Sequence, residues 1–133
     1  MIVVDSNIIA YLYLPTEQTA AVEQLLQQQP HWVAPRLWRS ELRNVLALYL
    51  RKQLLSLEQA IAIQTEAELL LADREYDVKS PEVLMLAQAT GCSAYDCEFV
   101  VLAKRLGCPL VTADKKVLNS FPDIAQSLNQ ILS

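Results

Sequence analysis

Residues 93–114 read SAYDCEFVVLAKRLGCPLVTAD and combine a helix pattern with a strand pattern. Ser93 begins a predicted helix that runs to Leu106, and Gly107 suits the left-handed residue that often ends a helix. The apolar stretch at 109–112 predicts a short buried strand. A helix that leads directly into such a strand is typical of a parallel sheet covered by helices.

The same alternation of strands and helices extends over the whole chain. Further strands are predicted at 1–4, 32–35 and 75–78. No repeat, low-complexity segment or linker interrupts the pattern, and 133 residues suit one domain. We therefore predict a single α/β domain, residues 1–133, with a parallel central sheet. The predicted helices lie at about 6–13, 16–29, 36–52, 56–72, 80–91, 93–106, just after 114, and at 123–132.

The composition is that of a globular protein with a slight excess of negative charge. Hydrophobic residues make up 53% and charged residues 20% of the chain, and the formal net charge is −4. This charge argues against a basic protein that coats nucleic acid, but it is compatible with a nuclease whose acidic residues are neutralised by metal. The sequence shows no signal peptide and no apolar run long enough to span a membrane, so we expect a cytoplasmic protein.

The three cysteines, Cys92, Cys97 and Cys108, are expected to be free thiols. They lack the paired spacing of a structural zinc site, and His31 is the only histidine. A single histidine also argues against a hydrolase site of the Ser-His-Asp or Cys-His type. No glycine-rich phosphate-binding loop is present. Acidic residues are therefore the main candidates for chemistry.

Three aspartates lie where predicted strands end or predicted helices begin. Asp5 follows the strand at 1–4, Asp114 lies two residues after the strand at 109–112, and Asp96 lies at a helix start. Each suits an N-cap, which is an ordinary structural role for aspartate. Because ligands of parallel sheets bind beyond the carboxyl ends of the strands, Asp5 and Asp114 also suit metal ligands in a shared crevice. The two roles are compatible, since a carboxylate has two oxygens.

Glu41 does not fit a capping role. It lies inside the helix predicted at 36–52 and shares a face with Leu37, Trp38 and Val45. It lies either at the edge of the apolar stripe or in a polar pocket, where a partly buried carboxylate needs a positive partner. Oxygen ligands of this kind favour Mg²⁺ or Mn²⁺, and such an ion activates water for attack at a phosphate.

Three segments together resemble a PIN domain of the VapC toxin type: IVVDSNIIAYL near the N-terminus, RSELRNVL around Glu41, and SAYDCEFVVLAKRLGCPLVTAD. The resemblance covers residue 2 to about 125. It implies a three-layer α/β/α sandwich whose central parallel sheet has four to five short strands. The acidic residues of that family correspond to Asp5, Glu41, Asp96 and Asp114.

The resemblance also implies an activity, namely a ribonuclease that depends on Mg²⁺ or Mn²⁺ and acts as the toxin of a toxin–antitoxin pair. Asp5 and Asp96 would bind the metal directly, and Asp114 directly or through water. Glu41 would hold the attacking water or assist its deprotonation. Supporting residues that orient these groups would be Ser6, Asn7 and Thr112.

The expected partners are an RNA substrate, a small antitoxin protein and a second copy of the chain in a homodimer, with no membrane. Contacts to the RNA backbone are predicted for Lys115, Lys116 and Arg43, although each also suits a solvated charge. Glu98 is interpreted as a surface residue or an outer neighbour of the site. Two alternatives stay open: a non-catalytic module of the same fold that binds a protein, and a structure-specific DNA nuclease.

Overall fold

A computed structural model describes Met1–Ser133 and contains one five-stranded sheet. In chain order the strands are β1 (Ile2–Val4), β2 (Trp32–Pro35), β3 (Glu75–Tyr76), β4 (Leu110–Val111) and β5 (Ala125–Gln126). They lie side by side in the order β3-β2-β1-β4-β5, and every neighbouring pair is parallel. The central strand is β1, so Asp5 lies at the middle of the edge formed by the carboxyl ends of the strands.

Eight helices connect and cover the strands. The three-layer α/β/α sandwich with a parallel sheet, as predicted, is confirmed. None of the helices combines the length and the apolar character that a membrane crossing requires. In chain order the helices are α1 (Ser6–Tyr13), α2 (Thr19–Gln28), α3 (Leu37–Arg51), α4 (Leu57–Leu70), α5 (Ser80–Thr90), α6 (Ala94–Leu106), α7 (Lys115–Ser120) and α8 (Leu128–Leu132).

The core forms where the apolar strands meet α6. All residues of β1 are fully buried, and α6 adds a continuous buried segment from Phe99 to Ala103. This helix contacts β1, β2 and β4, so it packs across the centre of the sheet. The buried indoles of Trp32 and Trp38 complete the core. Because close-packed interiors leave little freedom, the first turn of α6, which carries Asp96, is held in place as well.

The C-terminal segment differs from the prediction. The helix predicted at 123–132 is wrong in its first half, where the chain forms β5 and only then α8. Leu110 donates its backbone N–H to Ile124, and Thr112 donates to Gln126. A strand of two residues is too short to produce an alternating pattern, and its pairing with β4 is a long-range contact that local propensity does not encode.

The other differences concern the ends of elements. The helix predicted at 16–29 begins only at Thr19, because Thr16 and Thr19 form a turn with their side chains. The Thr16 backbone N–H donates to Thr19 Oγ1 at 2.9 Å, and the Gln18 N–H donates to Thr16 Oγ1 at 3.0 Å. Such local hydrogen bonds compete with helix formation. The strand predicted at 75–78 is likewise shortened to β3.

A buried carboxylate joins β3 to the first turns of α3. The side chain of Glu75 is only 7% exposed. It accepts hydrogen bonds from Trp38 Nε1 at 2.9 Å, from Arg39 Nε at 2.6 Å and from Arg39 Nη2 at 2.7 Å. Arg39 also donates to Glu68 on α4 at 3.0 Å. This network fixes α3 against the sheet two residues before Glu41.

Replacing Glu75 with glutamine should destabilise the fold. The hydrogen bonds from Arg39 hold the pKa of Glu75 below its usual value, so the carboxylate stabilises the fold above the unfolded-state pKa of about 4.5. That contribution is lost as the pH falls through the lower folded-state pKa. We expect Glu75→Gln to lower the free energy of unfolding at pH 7 by about 1–3 kcal/mol, because a buried charge-assisted network loses its acceptor. Chemical denaturation measures the difference.

The control is Glu23→Gln, the same exchange at an exposed position inside α2. Surface substitutions of this kind usually change stability by less than about 0.5 kcal/mol. A Glu75→Gln variant that is as stable at pH 7 as the control would show that the network contributes nothing to stability.

Candidate active site

Four carboxylates from distant parts of the sequence line one open cavity at the carboxyl edge of the sheet. Asp5 follows β1 and Asp114 follows β4, while Glu41 comes from α3 and Asp96 from α6. The cavity has a volume of about 620 Å³, within the range of ligand sites. The structure thus brings the four predicted acidic residues together. The other residues that line the cavity are Ser6, Asn7, Leu37, Ser40, Asn44, Val45 and Tyr95.

Asp5 is the most buried of the four, with 9% of its surface exposed. Its Oδ1 accepts from the Ser6 backbone N–H at 2.8 Å, which makes it the N-cap of α1 as predicted. Its Oδ2 accepts from Thr112 Oγ1 at 2.7 Å. Burial raises the pKa of Asp5 to about 6, the charges of Glu41 and Asp96 add to this, and the two hydrogen bonds oppose it.

Glu41 points into the cavity and is half-buried. Its Oε1 accepts a hydrogen bond of 2.7 Å from Ser6 Oγ, which ties α3 to the first residue of α1. Burial raises the pKa of Glu41, and the charges of Asp96 and Glu98 raise it further. Of the two placements considered for Glu41, the polar pocket is the one observed.

Asp96 lies in the first turn of α6, but it is not the N-cap. Ser93 caps this helix, since its Oγ accepts from the Asp96 backbone N–H at 3.0 Å. The capping interpretation of Asp96 is therefore wrong, because the helix starts three residues earlier. Burial and the charge of Asp114 raise the pKa of Asp96, against the opposing effects of Ser93 and Lys116.

Asp114 is the N-cap of α7, as predicted. Its Oδ1 accepts from the backbone N–H groups of Lys116 at 2.8 Å and Val117 at 3.2 Å. Its own backbone N–H donates to Thr112 Oγ1 at 3.0 Å. Only one carboxylate oxygen is used by these bonds, so Oδ2 is free for another partner.

The donor set suits a hard divalent cation. The cavity offers carboxylate oxygens whose mutual repulsion a cation would relieve. It also contains Asn7, whose Oδ1 is buried without a hydrogen-bond partner. No three carboxylates lie close enough to share one ion. A cation held here would keep several waters, which is the usual state of protein-bound Mg²⁺.

Comparison with known proteins identifies the family to which this chain belongs. Residues 2–125 match the family model of the PIN domain. The chain is a PIN-domain protein. It is 28% identical to Ribonuclease VapC3 of Pyrobaculum aerophilum, over 91% of this chain and 95% of that protein.

Solved structures support the same fold at lower sequence identity. PAE2754 from Pyrobaculum aerophilum superposes with a TM-score of 0.72 at 20% identity, covering 98% of this chain and 85% of the other. FitAcB from Neisseria gonorrhoeae also gives 0.72, at 19% identity, covering 96% and 98%. FitAB bound to an IR36 DNA fragment gives 0.72 as well, at 19% identity, covering 96% and 95%. These likenesses show that the PIN domain has the fold of those chains.

The three predicted basic contacts lie outside the acidic cavity of this PIN domain. Lys115 and Lys116 are exposed at the start of α7, and Lys116 Nζ donates to the Gly91 carbonyl at 3.0 Å. Arg43 faces a groove between α3 and α4 and donates to the Arg39 carbonyl at 3.1 Å. The two lysines border the site, whereas Arg43 lies on another surface.

Sequence reasoning missed several lining residues. Ser40 and Asn44 share the helix face of Glu41, and the spacing of 37, 40, 41 and 44 was a signal for it. Tyr95 had no comparable signal. Glu98 is half-buried and acts on Glu41, so it belongs to the surroundings of the site and not to the open surface.

The stability of the metal-free PIN domain should depend on pH through Asp5. Because its pKa rises from 3.8 to about 6 on folding, the folded chain binds this proton more tightly. The resulting stabilisation is complete below the unfolded pKa and lost as the pH rises through the folded pKa. Asparagine does not titrate, so the Asp5→Asn variant escapes this loss. The difference in free energy of unfolding between the variant and the parent should therefore shift in favour of the variant by about 1–3 kcal/mol when the pH rises from about 3.5 to about 8.

Chemical denaturation in the presence of EDTA at both pH values measures this gain. Asp73→Asn serves as the control, because Asp73 is exposed and its φ of 63° is one that asparagine tolerates. A difference between Asp5→Asn and the parent that stays constant with pH would contradict the raised pKa.

Proposed function

We propose that this PIN domain is an endoribonuclease that depends on Mg²⁺ or Mn²⁺ and serves as the toxin of a toxin–antitoxin pair. The observation that carries the proposal is the convergence of Asp5, Glu41, Asp96 and Asp114 on one cavity. Clustered, partly buried carboxylates destabilise a chain that gains nothing from them, so they favour a functional site over a scaffold. The similarity to Ribonuclease VapC3 over most of both chains supports RNA as the substrate.

Each carboxylate has a role in this proposal. Asp5 and Asp96 would bind the divalent ion, and Asp114 would bind it through water, because no three carboxylates lie close enough to share one ion directly. When bound, such an ion lowers the pKa of water and stabilises negative charge at the phosphate. Glu41 would hold and deprotonate the attacking water, because a carboxylate with a raised pKa is a stronger base. The Ser6 hydroxyl fixes its orientation at 2.7 Å.

The neighbouring polar residues would act on these carboxylates and on the RNA. Thr112 holds Asp5 through a hydrogen bond of 2.7 Å, and Asn7, which lines the cavity, would help to orient the carboxylates or water. Lys115 and Lys116 lie directly after Asp114 and would contact the RNA backbone beside the cavity. Arg43 would be reached only by RNA that extends over α3.

Substitution of the acidic residues tests the nuclease proposal. Asp5→Asn, Asp96→Asn and Glu41→Gln should each lower Mn²⁺-dependent cleavage of single-stranded RNA by at least about 100-fold, since changes outside the metal ligands already cost 10–100-fold. Circular dichroism should show an intact fold. Calorimetry should show Mn²⁺ binding to the parent and much weaker binding to the two aspartate variants.

The matched control is Asp73→Asn, which should cut RNA like the parent. Equal cleavage by Asp96→Asn and the control would refute the assignment of the site. A parent that binds no Mn²⁺ and leaves RNA intact would favour a non-catalytic protein-binding module. A parent that cuts branched DNA in preference to RNA would favour a structure-specific DNA nuclease.

We also propose a homodimer and a small antitoxin as protein partners. Large apolar side chains are exposed on two helices, and a partner that covers them would gain the free energy of apolar burial. The three free cysteines are compatible with a reducing cytoplasm. The exposed apolar residues are Leu57, Ile61 and Leu69 on α4, and Leu84 and Met85 on α5.

Mass measurement tests the homodimer directly. We expect sedimentation of the isolated chain to give a particle of twice the 15.0 kDa chain mass, because the apolar side chains are then covered. A single 15.0 kDa species at high micromolar concentration would rule the homodimer out. The antitoxin proposal predicts a short reading frame beside the gene whose product binds the chain and suppresses RNA cleavage.

A further inference from the structure

A second cavity lies beside the acidic one and has no role in the mechanism above. We call it the flanking pocket, and its volume is about 380 Å³, enough for a small ligand. It lies beyond the carboxyl end of β3, between Arg36 before α3 and the first turns of α5 and α6. The residues that matter here are Arg36, Tyr76, Asp77, Val83 and Glu98.

The two cavities are lined by residues that are neighbours in the chain. Arg36 and Ala94 line the flanking pocket, while their chain neighbours Leu37 and Tyr95 line the acidic cavity. Glu98 lines the flanking pocket, and its charge raises the pKa of Glu41, which lines the acidic cavity. A polynucleotide strand with one phosphate at the carboxylates would therefore place a neighbouring nucleotide at the flanking pocket.

The charges of the flanking pocket disfavour a phosphate. Asp77 and Glu98 are negative, and the one cationic group, Arg36, already donates from Nε to Asp77 Oδ1 at 3.0 Å. Asp77 is thus neutralised by Arg36, and Arg105 also reaches the Asp77 backbone carbonyl at 3.1 Å. Glu98 is therefore the lining carboxylate that stays unpaired, repels an anion and attracts N–H donors. The ligand that fits is a neutral group rich in such donors.

Glu98 supplies the acceptor for these donors. Its carboxylate is half-buried and forms no hydrogen bond or ion pair within the chain. A desolvated carboxylate without a partner is costly, so a ligand that donates to it is favoured. Val83 gives an apolar wall, and the half-buried ring of Tyr76 gives a surface on which a base can stack.

We propose that the flanking pocket binds the base of the nucleotide next to the scissile phosphate and prefers guanine. This inference rests on the proposed ribonuclease function. Guanine presents N1–H and the N2 amino group side by side, so it can donate two hydrogen bonds to one carboxylate, whereas uracil offers a single N–H. Recognition of unpaired bases through this edge and through stacking is the usual mode for single-stranded RNA. Glu98 is then a specificity-determining residue.

Sequencing of cleavage products tests the preference. With a randomised single-stranded RNA, the parent should cut with guanine enriched at one fixed position next to the cut. Glu98→Gln should reduce that enrichment by about 10-fold, because the amide has one acceptor oxygen and cannot accept both N–H donors of guanine as the carboxylate does. The control Glu23→Gln, far from both cavities on α2, should keep the parental profile. An unchanged profile in Glu98→Gln would overturn the proposal.

A binding measurement separates this inference from the nuclease proposal. Guanosine 5′-monophosphate added to the uncleaving, metal-free parent should shift the NMR amide signals of Tyr76, Val83 and Glu98, and uridine 5′-monophosphate should shift them far less. If the parent cuts no RNA but shows these shifts, the nuclease proposal fails and the base site stands. If the two nucleotides shift the signals equally, or neither does, the base site is refuted.

Discussion

The hydroxyl of Thr112 joins the two central strands at the point where the site is built. It donates to Asp5 Oδ2 at 2.7 Å and accepts from the Asp114 backbone N–H at 3.0 Å. Asp5 and Asp114 lie far apart in the chain, and Thr112, which connects them, is fully buried. Since β1 and β4 are neighbours in the sheet, the Thr112 side chain can fix both the Asp5 carboxylate, which follows β1, and the turn at Asp114, which follows β4. This bridge fixes two of the four carboxylates of the acidic cavity, Asp5 and Asp114.

The same geometry creates an electrostatic conflict. Asp5, Glu41 and Asp96 all have raised pKa values, and burial is the first cause for each. The hydrogen bonds from Ser6 and Thr112 offset part of this cost. Glu75 shows the opposite case, because a carboxylate of similar burial has a lowered pKa when an arginine accompanies it. The structural carboxylate of Glu75 therefore has a basic partner, whereas the carboxylates of the acidic cavity have none.

Most of the fold was predictable from local signals in the sequence, whereas the grouping of the four acidic residues came from the resemblance to the PIN family. The apolar strands, the glycine at 107 and the caps at Asp5 and Asp114 are signals within a few residues, and they were predictable. The predictions that failed concern features that depend on long-range contacts or on ambiguous local signals. The strand β5 exists only through its pairing with β4, and Ser93 and Asp96 compete for the same capping role. The contact from Ser6 to Glu41 spans 35 residues, so no local pattern could reveal it.

The edges of the sheet have a consequence for association. Both edge strands, β3 and β5, consist of two residues, so each offers almost no unpaired backbone to another chain. Short edge strands are a known defence against strand-to-strand aggregation. The fold thus limits pairing of its sheet with another sheet, while exposed apolar side chains lie on the helices α4 and α5 and not on the strand edges.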